Sequence, residues 1–92
     1  MSLHVNEDFL QLEYTEDFKP YDETRYFEEE GNEPFNAHSS QQMQMMMRRI
    51  GETMGLDDYS LKKLEVFLRT ELPFFAVTRR LVFQWVTKNF LY

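Results

Sequence analysis

Residues 39–73 read SSQQMQMMMRRIGETMGLDDYSLKKLEVFLRTELP, and this stretch decides the fold. Met43, Met46, Met47, Ile50 and Met54 recur at helical spacing on one face. Ser39 precedes them and Gln42 follows it by three, the pattern of a capping box that satisfies N–H groups at a helix start. Gly55 stands just past the stripe, where a left-handed residue ends a helix. Gly51 lies inside this helix at a cost of up to ~1 kcal/mol relative to alanine. It therefore marks close approach of another element. Met45 falls off the stripe and is expected at the surface, as an adaptable contact.

The second helix of the stretch opens at Asp57, a good N-cap, with Leu56 and Leu61 placed for a hydrophobic staple. Leu61, Leu64, Phe67 and Leu68 form its expected buried stripe, with Lys62, Lys63, Glu65 and Arg69 outside it. Pro73 ends it, because the residue before a proline avoids helical angles. Pro73 also suits the first turn of a third helix, predicted over 74–89. Phe74, Val77, Leu81, Val82, Trp85 and Val86 give that helix a wide apolar face, and Phe75, Phe83 and Phe90 extend it. A helix apolar over so much of its surface is central to a core or covered by another chain.

Working outward, residues 1–37 differ in kind. They hold eleven acidic side chains against Lys19 and Arg25, a net of −9, whereas 38–92 carry +3. Leu10, Leu12 and Tyr14 alternate with Gln11 and Glu13 in a short strand-like pattern. Pro20, Pro34 and the turn-prone Gly31-Asn32 break any long element. High charge favours disorder, but disordered segments are poor in aromatics. Here Phe9, Tyr14, Phe18, Tyr21, Tyr26, Phe27 and Phe35 fall within 37 residues. Each ring can bury ~150–250 Å² when it meets a surface. The expected fold is mainly α: a small three-helix C-terminal bundle, residues 38–92, with an acidic, aromatic-rich N-terminal arm, residues 1–37, packed across it. The two form one structural domain, with room for a short hairpin in the arm.

The chain has no cysteine, so disulfides and thiolate metal sites are excluded. Met1–Glu13 has neither the basic start nor the apolar run of a signal peptide. The apolar C-terminal stretch is broken by Arg79, Arg80 and Lys88, short of the ~20 residues that cross a bilayer. A non-secreted protein is expected, cytoplasmic or, in a eukaryote, nuclear. His4 and His38 have no metal-site spacing, and the acidic clusters lack the calcium-loop pattern. His38 beside Ser39 reads as a helix cap, not as a base and its nucleophile. Neither metal nor cofactor is expected, nor catalysis.

What remains is binding. Acidic residues interleaved with aromatics suit a basic, partly apolar surface: carboxylates steer the encounter and rings supply burial. Carboxylates can also stand where the phosphates of a nucleic acid would. The first expectation is a small regulatory protein that binds and inhibits or modulates a larger, nucleic-acid-handling protein. Its contacts would be Glu7, Asp8, Phe9, Glu16, Asp17, Phe18, Asp22, Glu23, Glu28, Glu29 and Glu30. The alternative is a nucleic-acid-binding helical domain auto-inhibited by the arm, using the basic doublets Arg48-Arg49, Lys62-Lys63 and Arg79-Arg80. A third is a structural subunit, or a homo-oligomer, paired through the aromatic third helix. The spacing of Leu72-Pro73, Arg79 and Phe83 is similar to that of a small single-strand-binding domain family named for an arginine and a histidine separated by three residues. Phe83 stands where that family has its histidine, so its function is not carried over.

Overall fold

The computed structural model describes residues 10–14, 25, 28 and 31–90. Three helices account for most of these: α1 (Ser40–Met54), α2 (Asp58–Thr70) and α3 (Arg79–Asn89). Helix α1 starts where the sequence places it. The Ser39 hydroxyl oxygen accepts the Gln42 amide at 3.3 Å. The reciprocal half of the capping box is replaced, since the Gln42 side-chain oxygen accepts the Asn36 amide at 3.0 Å instead. At the other end Gly55 adopts φ 68°, and its amide and that of Leu56 both donate to the Gly51 carbonyl. This left-handed closure places two donors on one carbonyl of the last turn.

Helix α1 packs against both α2 and α3, which makes it the centre of the bundle. Met43, Met46, Met47 and Ile50 are fully buried as their spacing requires. Met45, expected at the surface, is buried as well, with 4% exposure. A helix at the centre of a small bundle is covered on more sides than one stripe allows for, and Gln42 and Gly51 are buried with it. Helix α2 is capped by Asp57, whose carboxylate accepts the Ser60 amide at 2.8 Å. Asp58 in the first turn and Arg69 in the last both oppose the helix dipole favourably.

The third helix departs from expectation: it begins at Arg79, not at Phe74. The Ala76 amide donates to the Pro73 carbonyl and closes a tight turn. The chain then runs extended beside residues 34–35, where Phe35 donates to the Val77 carbonyl at 2.9 Å and Pro34 pairs with Thr78 in an isolated antiparallel bridge. Helix α3 is then capped three times. The Thr78 hydroxyl oxygen accepts the Leu81 amide, the Glu33 carbonyl accepts that of Arg79, and the Gly31 carbonyl accepts that of Arg80. These are the N–H groups that a helix start leaves without internal partners. Residues from the acidic arm close them, so local proline chemistry is overridden by a tertiary cap.

The core joins Met43, Met46, Met47 and Ile50 of α1 to Leu61, Leu64 and Leu68 of α2 and Val82 and Val86 of α3. Phe90 also enters it, 5% exposed, with its ring edge-on to Phe67 at 5.1 Å. Trp85 stacks on Phe67 at 5.5 Å. Leu10, Tyr14, Phe35 and Ala37 pack against this core from the arm. The alternation at residues 10–14 gives no strand. The amides of Gln11 and Leu12 go to a side chain of α2, described below, so no ladder forms there. No helix among the described residues is long and apolar enough to cross a membrane.

Candidate functional site

The arm is fastened to α2 by Glu65 and Arg69, one helical turn apart. Glu65 has no solvent exposure. Its oxygens accept the Gln11 amide (3.0 Å to each), the Leu12 amide (3.0 Å) and the Tyr14 hydroxyl (2.6 Å). A buried carboxylate is tolerated only when its lone pairs are filled in this way. Arg69 completes the clamp. It donates to the carbonyls of Glu13 (2.9 Å) and Ala37 (3.1 Å), and its guanidinium lies 4.6 Å from the centre of the Tyr14 ring. The Gln11 side chain adds a bond to the Lys62 carbonyl at 3.1 Å. Burial, then the hydrogen bond to Glu65, push the Tyr14 phenol well above its ordinary pKa. The phenol is therefore a proton donor across the physiological range.

Glu65 was expected outside the stripe of α2, and the structure places it inside. Glu65 lies four residues after Leu61 and three before Leu68, both buried, so helical geometry puts it on their face. Charge alone made it look solvated. The signal was the spacing, together with Arg69 four residues on, a pairing that helices bring together.

Of the acidic residues expected to meet a partner, Glu28 is exposed and helical. Glu7, Asp8, Phe9, Glu16, Asp17, Phe18, Asp22, Glu23, Glu29 and Glu30 lie outside the described residues. Segment 10–14, which separates the first of these groups from the rest, is the part held by the clamp.

The basic doublets do not share one environment. Arg79 is buried at 6% exposure, whereas Arg80 is exposed. Arg49 of α1 and Arg80 of α3 converge beside Phe83 and Gln84 around a shallow depression of about 230 Å³. Arg48 is half-buried on α1. Lys62 and Lys63 line a different depression, with Gln11, Tyr59 and Val66, and Lys63 sits 4.5 Å over the Tyr59 ring.

The aromatic surface expected on the third helix is rearranged. Phe90 is in the core and Phe83 is half-buried, while Phe74 is 93% and Phe75 53% exposed. The two exposed rings meet edge-to-face at 5.7 Å. Val77 and Leu81, expected to be buried, are 56% and 42% exposed. Phe75, Leu81 and Trp85 line a depression of about 190 Å³ with Gln84, Lys88 and Asn89. Of the three rings expected to extend this face, Phe75 is exposed, whereas Phe83 packs against the core and Phe90 enters it.

Ser39 and His38 form no reactive pair. Ser39 is fully buried and its hydroxyl oxygen serves the cap, while His38 is exposed with its amide bonded to the Asn36 side chain. The geometry thus offers a segment of the arm, residues 11–14, held on α2, a basic and aromatic depression between α1 and α3, and an apolar face on α3. Set beside known proteins, the chain matches no family model, no curated protein and no solved structure.

Proposed function

We propose that the chain is a small non-enzymatic regulatory protein that binds and modulates a larger protein through its acidic, aromatic-rich arm. The observation that carries this reading is the clamp. A fully buried glutamate and an arginine of α2 are committed to holding residues 11–14, so this stretch of the arm is seated on a helix. In sequence these residues lie between Glu7-Asp8 and Glu16-Asp17, so the proposed contacts on both sides are tethered within a few positions of α2, which lowers the freedom lost on association. The charge of the arm, −9 over residues 1–37, favours a partner with a basic surface. A protein that handles nucleic acid has such a surface, and carboxylates spaced along the arm compete for it as phosphates do.

The test is capture from lysate by the intact chain and by a variant with Asp8, Glu16, Asp17, Glu28, Glu29 and Glu30 changed to amides. The clamp's contacts are made by residues 11–14 and 37, which the variant leaves unchanged, and its melting curve checks that it folds. A defined partner held by the intact chain, released by a soluble polyanion and lost with the variant, supports the reading. Unchanged capture by the variant removes the arm's charge from the mechanism.

A second reading rests on a separate observation, the convergence of Arg49 and Arg80 beside Phe83. Cations with an adjoining ring suit single-stranded nucleic acid. It predicts salt-sensitive binding that Arg49→Glu and Arg80→Glu abolish. Deletion of residues 1–37 does not separate the two readings, because it also removes the carbonyls that cap α3 and uncovers Glu65.

A further inference from the structure

The outer face of α3 exposes residues that the arm reading does not use. Four of the six exposed large hydrophobic residues among those described, Phe74, Phe75, Val77 and Leu81, fall within eight positions of sequence at the start of α3, the other two being Tyr59 and Val66. Leu81 and Trp85 lie one turn apart on the helix, and Phe75 from the preceding turn walls the same depression. Such a row of anchors takes side chains from a partner helix at the matching spacing. The rim is cationic. Lys88 lines this depression, and Gln84 joins it to the neighbouring one lined by Arg49 and Arg80. No carboxylate is among the described residues lining either.

We propose that this face is a docking groove for an acidic amphipathic helix of a protein partner, with leucine-type anchors in the Phe75–Leu81–Trp85 depression and carboxylates against Lys88 and Arg80. A second copy of the chain fits less well. Two-fold pairing of this face would set the same cationic rims against each other, and like charges across an interface oppose association. Nucleic acid fits less well too. Val77 and Leu81 give no stacking platform, and Trp85 already stacks on Phe67. The chain then has two surfaces of opposite preference, an acidic arm for a basic partner and a cationic apolar groove for an acidic one, and can bridge them.

The chain reports on this groove directly, because Trp85 is its single tryptophan. The full chain is titrated with a synthetic amphipathic helix carrying leucines at i, i+4 and i+7 with flanking glutamates, and with the same peptide carrying lysines. Trp85 fluorescence is followed. The expected result is a saturable change with the glutamate peptide, at least about tenfold weaker binding of the lysine peptide, and reversal of that preference in Lys88→Glu. Leu81→Asp, at a position already part-exposed, removes binding of both peptides while its melting curve stays cooperative. Equal binding of the two peptides, or no saturable change with either, overturns the proposal. So does displacement of the glutamate peptide by oligothymidylate at lower concentration, which assigns the face to nucleic acid. Sedimentation of the free chain as a dimer with Trp85 already shielded overturns it in favour of self-pairing.

Discussion

A carboxylate removed from water loses a hydration shell that only well-placed donors can replace. Two backbone amides and a phenol replace it at Glu65. Glu65→Gln turns an amide NH₂ toward those donors, and Glu65→Leu leaves them unmet. Each change is expected to cost about 2–4 kcal/mol in denaturant unfolding, with loss of hydrogen-exchange protection at the Gln11 and Leu12 amides. Tyr14→Phe removes one of the bonds and costs less, about 1 kcal/mol, since Tyr14 is half exposed. Tyr14 also sets an alkaline limit. Its folded-state pKa is raised by burial and by Glu65, so the native chain binds its proton more tightly than the unfolded chain does. That contribution is complete below the ordinary phenol pKa of ~10 and is lost as pH rises through the folded value. Stability is therefore expected to fall above about pH 10, and Tyr14→Phe to flatten that fall. Glu65 could be placed from sequence by its spacing from Leu61 and Leu68. Its partners could not, because a charged side chain inside an apolar stripe does not say which distant backbone will satisfy it.

At the scale of the element, α1 and α2 were legible because their caps are local. Ser39, Gly55 and Asp57 each act within a few residues of where they stand. The start of helix α3 was missed although Thr78 is a local cap of the same kind; Gly31 and Glu33, more than forty residues away, complete that cap. Proline 73 made an earlier start look sufficient. The side-chain part of that cap is testable: Thr78→Ala should lower stability by about 1 kcal/mol. Gly55→Ala should cost a similar ~1 kcal/mol through its left-handed backbone alone, since an added methyl there meets nothing within 4 Å. The Asp57 cap brings an acid dependence. Its carboxyl is held below the usual range by the Ser60 amide, so its contribution is present above the unfolded carboxylate pKa and is lost as pH falls through the depressed folded value. Helix signal at low pH should fall less steeply in Asp57→Asn, which keeps a capping oxygen without the titration.

Across the whole molecule, the arm and the helices are one packed body along the residues described. The radius of gyration is 12.0 Å, close to the ~12 Å expected for a compact chain of this length. The functional surfaces were less legible than the fold. Composition identified the arm and the apolar third helix as unusual, but a composition has no geometry. Which rings of 74–90 face outward depends on where α3 begins, and that is fixed by the arm. The same wiring dictates an order of events. Gln11 meets Glu65 across 54 positions of sequence and Glu13 meets Arg69 across 56. The arm leaves the ribosome well before either partner exists, and closing so long a loop is slower than forming the local helices. The strap should therefore shut late, after the transition state, and act as a brake on unfolding instead of an aid to folding. In stopped-flow kinetics Glu65→Leu should accelerate unfolding by most of its equilibrium effect while leaving the refolding rate nearly unchanged. Until that closure, a nascent chain carries residues 11–14 without the carboxylate that will fill their hydrogen bonds.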